Sequence, residues 1–297
     1  MLSGNFKDNE FAFILIMPAF IFITALTIYP LLQAIWLSLH KYNLVEVVFE
    51  GKPFIGMSNY FQIIKDERFW FTLKNTGLFV GVTVFFQTVF GFIIALIANY
   101  KFKARGLVRA AILLPWALPT SINAMIWKWL FNAEYGFFND IFLRLGIITE
   151  KITWLADVET AMPSIMSTAV WKVSSFMGLL ILAGLQSIPE EIYESAKIDG
   201  ANKFQQFWNI TFPLVKPALM VALIFRTRDA FRVFDLIYVL TGGGPGNSTE
   251  SIAIYTYKTT FSNLSFGYGS SLAIIMFLIS LLISYIYFRV LRKEGDL

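Results

Sequence analysis

Three stretches of this chain run without a charged side chain for longer than a bilayer is thick. Residues 11–39, 75–100 and 259–288 contain no Asp, Glu, Lys or Arg, and the first alone is 29 residues long. About 20 mostly apolar residues in a helix cross the roughly 30 Å hydrocarbon core. Backbone polar groups at that depth must bond within their own segment, so runs of this length resolve into helices. Composition agrees: 57% of the chain is hydrophobic and 15% charged, with a mean hydropathy of +0.63. Soluble domains hold about 45–50% apolar and about 25% charged residues.

Three further spans carry interruptions. Residues 110–131 contain Pro115 and Pro119 and read as a kinked span; residues 161–187 are broken only by Lys172; residues 213–240 hold Arg226, Arg228, Asp229, Arg232 and Asp235. The expectation is an all-α polytopic membrane protein of six transmembrane helices. Capture of the first span as a cleaved signal peptide is disfavoured, because its uncharged run far exceeds the roughly 7–15 residues of a signal core. Basic residues in short flanks set orientation. With both termini inside, inner segments hold ten Lys and Arg (Lys7, Lys101, Lys103, Arg105, Arg109, Lys197, Lys203, Arg289, Arg292 and Lys293) against seven in outer ones. Outer loops also carry acids such as Glu46, Glu50, Asp66, Glu134, Asp157 and Glu159. Both termini are expected in the cytoplasm.

Chemistry is notable for what is missing. The chain has no cysteine and one histidine, His40, which leaves no material for thiolate or histidine metal sites or a catalytic triad. The run Gly242-Gly243-Gly244-Pro245-Gly246 is not followed by the Gly-Lys pair of a phosphate-binding loop. It reads as a flexible turn leaving the fifth span. We expect no enzyme, no metal and no cofactor on this chain.

Residues 187–213 form a polar inner loop. Ser187-Ile188-Pro189-Glu190 has the spacing of a capping box, Gly200 can end a helix with positive φ, and Phe204, Phe207 and Trp208 space as the apolar stripe of a second short helix before Pro213 and Pro217. Such a segment either rests on the membrane surface or docks into a soluble partner. Within the fifth span, a continuous helix places Arg228, Arg232 and Asp235 within about 60° of one another. These charges can neutralise at i+3 and i+4; they brace the bundle or line a hydrated path, and five charges favour the path. Trp36, Trp70, Trp116, Trp127, Trp129 and Trp154 fall near expected interfaces and read as belt anchors, with Trp171 deeper.

Glu194-Ser195-Ala196, three residues, Gly200, nine residues and Ile210-Thr211-Phe212-Pro213 resemble the E-A-A-x3-G-x9-I-x-L-P loop of binding-protein-dependent ABC importer permeases, around an Asp199-Gly200-Ala201 core. Ser195 and Phe212 replace the usual Ala and Leu. Pro18-Ala19, Ile28-Tyr29-Pro30, Asn75-Thr76, Leu114-Pro115 and the run from Asp229 to Gly243-Gly244-Pro245, then Ser248-Thr249-Glu250, are similar to the carbohydrate-uptake branch and its maltose-type members. The resemblance implies a type I permease fold in an importer of a sugar, a disaccharide or oligosaccharide, with a second permease, two cytoplasmic ATPases that hydrolyse the ATP, and an extracytoplasmic solute-binding protein. It implies that Glu194, Ser195, Ala196, Asp199, Gly200, Ala201, Phe204 and Phe207 couple to the ATPase. It also places a substrate path at Trp171, Lys172, Val173, Phe176, Arg226, Asp229, Ala230, Arg232 and Val233. We read residues 1–69 as an N-terminal helix with its outer loop and 70–291 as the permease core. The rival reading is a secondary transporter driven by an ion gradient.

Overall fold

A computed structural model describes residues 8–46, 51–100 and 103–295. Lys7, Glu50 and Lys101 lie outside them. Helix dominates the described residues; extended pairing is confined to the bridges His40–Phe54 and Asn43–Ser265. Five helices are long and apolar enough to cross a membrane, and a bent pair makes a sixth span when read as one. The chain divides into two compact units, residues 1–66 with 256–278 and residues 67–255 with 279–297.

The first unit holds α1 (Asp8–Ile23), a π-helical turn (Thr24–Ile28), α2 (Tyr29–Ser38) and α3 (Ser58–Lys65). Phe20, Phe22 and Leu26 are exposed on the first span, as expected of side chains whose solvent is lipid. The chain leaving α2 is held by polar groups: Asn59 Nδ2 donates to the Ser38 carbonyl at 2.8 Å, and Ser271 Oγ donates to the same oxygen at 3.0 Å. His40 is buried here, stacked on Trp36 with its Nδ1 2.7 Å from the Trp36 carbonyl.

The second unit contains α4 (Glu67–Asn99), α5 (Arg105–Ala117), α6 (Thr120–Leu130), α7 (Phe137–Arg144) and α8 (Val158–Gln186). Beyond them come α9 (Glu190–Ile198), α10 (Lys203–Gln206), α11 (Phe212–Phe231), α12 (Asp235–Leu240) and α13 (Ile252–Tyr257). The last helix, α14 (Phe266–Gly295), begins in the first unit and ends in the second. Helix α8 is the central post, with Ile165, Met177 and Ile181 fully buried. It crosses α4 where both backbones are bare. A Cβ on Gly91 would lie 2.7 Å from Met177 Cβ, and one on Gly178 would lie 2.6 Å from Ile94 Cγ2. Between lipid-soluble helices close packing of small residues replaces the hydrophobic drive.

The fold corrects several expectations. The last span begins at Phe266, not 259, because Leu264 turns at φ +55° and Ser265 pairs with Asn43. The third span is bent by 89° between α5 and α6. Proline disfavours helical geometry in the residue before it, and Leu118, before Pro119, is extended at ψ 135°. The fifth span is not one helix: α11 ends at Phe231, and Phe234 leaves helical geometry at φ −132°, ψ −65° before α12 starts. At its other end Pro213 and Pro217 do not punctuate. A π-helical turn (Phe207–Thr211) joins α10 to α11, and the membrane-length helix runs from Lys203 to Phe231.

Candidate functional site

The bend between α5 and α6, the middle of α8 and the break between α11 and α12 meet around a cavity of about 360 Å³. Ligand pockets span about 300–1,000 Å³. Two interrupted helices border the same cavity, where irregular backbone at membrane depth is tolerated. Their freed carbonyls are answered by side chains. Breaking the helix at Pro119 deprives the Trp116 carbonyl of its normal donor, and Lys172 Nζ supplies one at 3.3 Å. Across the second break, Ser251 Oγ donates to the Val233 carbonyl at 3.0 Å.

On one wall the Trp116 and Phe176 rings stack, with centroids 5.1 Å apart and planes 17° apart. Deeper in, Arg226 is 9% exposed and gives its Nε–H to Gln87 Oε1 at 2.5 Å. Gln87 is fully buried, and its Nε2 donates to the Ala169 carbonyl at 3.0 Å. One carboxamide on α4 thereby ties a guanidinium on α11 to the backbone of α8. Asp229, Arg232 and Asp235 stand at the exposed side of the cavity.

Of the residues expected on a substrate path, Lys172, Val173, Phe176, Arg226, Asp229, Arg232 and Val233 line this cavity. Trp171 and Ala230 do not. Trp171 is 44% exposed and meets Trp127 edge-on at 5.5 Å, and Ala230 is buried in the core beside Ile237. The continuous helix expected to group Arg228 with Arg232 and Asp235 stops at Phe231, and Arg228 is not part of the lining. The expected local neutralisation is absent as well: among the described residues, no ion pair within 4.0 Å joins Arg226, Arg228, Asp229, Arg232 or Asp235. Phe79, Trp116, Thr120 and Gln87 escaped sequence reasoning. Trp116, expected in the interfacial belt, lines the cavity instead, and its place between Pro115 and Pro119 is the signal in the sequence.

The inner loop forms an elbow. Its first helix, α9, starts after Pro189 with no side-chain cap, and the Ser187 hydroxyl instead donates back to the Gly184 carbonyl at 2.8 Å. The expected Ser187–Glu190 capping box is thus not formed; the box lies at Asn202 and Gln205, opening α10. Gly200 sits at φ +81°, with Gly200 N bonded to the Lys197 carbonyl and Ala201 N to the Ala196 carbonyl. This pair of bonds is a Schellman stop, which demands a left-handed residue. Glu194, Ser195 and Asp199 are exposed along α9, while Ala196 and Ala201 are half-buried. The aromatic stripe divides: Phe204 is 72% exposed, whereas Phe207 turns inward against Phe92 at 6.0 Å. Tyr193 OH and Thr211 Oγ1, 3.0 Å apart, clip α9 to the start of the fifth span.

The whole chain resembles known permeases. It is 42% identical to the sulfoquinovosyl glycerol transport system permease protein of Agrobacterium fabrum, over 97% of this chain and 92% of that one. It is 41% identical to the trehalose/maltose transport system permease protein of Thermococcus litoralis, over 98% and 97%. A crystal structure of a bacterial alginate ABC transporter in complex with alginate pentasaccharide-bound periplasmic protein contains a chain that superposes with a TM-score of 0.84 at 21% identity, covering 99% of this chain and 98% of that one. That likeness shows a common fold. With residues 87–294 matching the binding-protein-dependent transport system inner membrane component family, and relatives above 40% identity along nearly its full length, this multi-pass membrane chain belongs to that family of ABC transporter permeases.

Proposed function

We propose that this chain is the permease subunit that carries a sugar across the cell membrane in an ATP-driven importer. Its partners are a second permease, two cytoplasmic ATPases that perform the hydrolysis, and an extracytoplasmic binding protein that delivers the solute. The family's dependence on a binding protein sets aside the ion-gradient alternative. The carrying observation is the cavity, where a stacked Trp116–Phe176 pair faces ionic hydrogen-bonding groups at the meeting of two interrupted spans. Sugars present apolar ring faces to aromatics and hydroxyls to polar groups, and both are offered here. Named relatives that transport trehalose, maltose and sulfoquinovosyl glycerol support the substrate class.

In this reading α9 and the exposed face around Glu194 and Gly200 seat in the ATPase. Closure of the ATPases on ATP moves the elbow, and because α10 continues into α11, the movement passes along one helix to Arg226 and Asp229. Both termini lie in the cytoplasm with the elbow. The test is copurification through a tag on this chain, followed by reconstitution. Recovery of an ATPase and ATP-dependent uptake of a sugar from a panel of neutral and anionic mono- and disaccharides is the expected result. Uptake that survives ATP depletion and collapses with an uncoupler overturns the reading.

A further inference from the structure

The buried wall of the cavity is cationic, and its contacts are neutral. Arg226 binds a carboxamide oxygen through Nε, and Lys172, 8% exposed, binds a backbone carbonyl. Both cations line the same cavity. Asp229 lines the same cavity but makes no ion pair with Arg226 within 4.0 Å among the described residues. Both Nη groups of Arg226 are without a hydrogen-bond partner among the described residues. A guanidinium has five donors in a fixed fork suited to a bidentate oxyanion, and here the donor that is taken is the one on the stem side.

The choice of residue at position 87 sharpens the point. Glutamate has nearly the shape of glutamine and would accept the same bond, but it would cancel the charge and have no donor for the Ala169 carbonyl. Gln87, locked by the Ala169 carbonyl, fixes the direction of the guanidinium and leaves its charge in place. Burying cations against neutral dipoles is costly unless a counter-charge arrives. Summed over the cavity, Lys172, Arg226 and Arg232 against Asp229 and Asp235 leave one positive charge.

We propose that Arg226 and Lys172 form a receptor for one oxyanion on the transported solute, so that the substrate is a monoanionic glycoside, and that Gln87 is the positioning residue that reserves Arg226 for it. The proposal rests on the reading of this chain as a sugar permease. Its test uses the complete importer, copurified through this chain and reconstituted in vesicles. Three matched probes are offered, methyl α-glucoside, methyl α-glucuronide and methyl 6-deoxy-6-sulfo-α-glucoside, each also as its glucosylated disaccharide. At least one anionic series should enter about tenfold faster than its neutral counterpart, and the better of the two identifies carboxylate or sulfonate as the group. Gln87→Glu should remove most of that preference by raising KM for the anionic probe with little change for the neutral one. Lys172→Gln provides the same readout should the first variant not assemble. Equal uptake of neutral and anionic probes, or equal losses for both in the variants, overturns the proposal and leaves the sugar permease standing. Uptake of none of the probes by an assembled, ATP-hydrolysing complex overturns both.

Discussion

Glu250 is fully buried and ionic, and Arg68 meets it with two parallel bonds of 2.8 Å, Nε to Oε2 and Nη2 to Oε1. The same guanidinium lies over the Tyr255 ring at 4.8 Å, and Asn75 Nδ2 donates to the Ser248 carbonyl at 2.9 Å. The loop after the fifth span is thus fastened to the start of α4. Arg68→Met removes one partner and leaves a buried carboxylate, a loss of about 3–5 kcal/mol. Thermal unfolding of the detergent-solubilised chain should show it, and Arg68→Lys should recover part of it. An unchanged midpoint in Arg68→Met counts against the clamp. At the cavity, Trp116→Ala should lower sugar uptake at least about tenfold through loss of a stacking face, with copurification of the ATPase retained. Much of this detail was out of reach of the sequence. Charged residues inside a span advertise themselves by their cost, so Lys172, Arg226 and Asp229 stand out in the sequence; Gln87 is one uncharged polar residue in a long apolar run, and its bonds exist only because α8 and α11 pass beside it.

Elements were legible where composition defines them and obscure where tertiary contacts do. Charge-free runs marked the three spans but not their ends, which differ by up to eight residues, as at Glu67 for an expected 75. The bend at Leu118 was announced by two prolines, although its 89° was not. Nothing comparable announced the break after Phe231: Arg232-Val233-Phe234 contains neither glycine nor proline, and the freed Val233 carbonyl is met by Ser251 from a segment distant in sequence. Gly200 is the opposite case, a single residue whose φ of +81° could be anticipated from its place after α9. An L side chain there is strained by about 1 kcal/mol or more. The cost would fall on the angle between α9 and α10 rather than on the bundle. Gly200→Asp should therefore abolish uptake and ATPase association while the chain still reaches the membrane and unfolds at nearly its normal temperature. Full uptake in that variant removes the elbow from the coupling route. Gly178→Leu should act in the reverse sense: it drives a side chain into Ile94, overpacks the α4–α8 crossing by about 1–3 kcal/mol, and lowers the unfolding temperature with the elbow intact.

For the molecule as a whole, the central claim is orientation, since the elbow can meet an ATPase only from the cytoplasm. Helix α8 separates the loop before it, with Tyr135 exposed, from the elbow after it, with Lys197 exposed; its 29 residues rise about 43 Å, enough to put them on opposite sides of a bilayer. Basic residues favour the elbow as the inner side, ten against seven. The chain has no cysteine, so single-cysteine variants can be made without clearing a background. A membrane-impermeant maleimide applied to intact cells should label Tyr135→Cys and leave Lys197→Cys untouched, and permeabilisation should expose Lys197→Cys. Tyr135 is exposed and outside the cavity lining, so Tyr135→Cys should leave uptake undisturbed; Lys197→Cys is read by labelling alone. The reversed pattern would place the Schellman-capped elbow outside, beyond the reach of any ATP-hydrolysing partner, and the coupling role of Glu194 and Gly200 would fall with it.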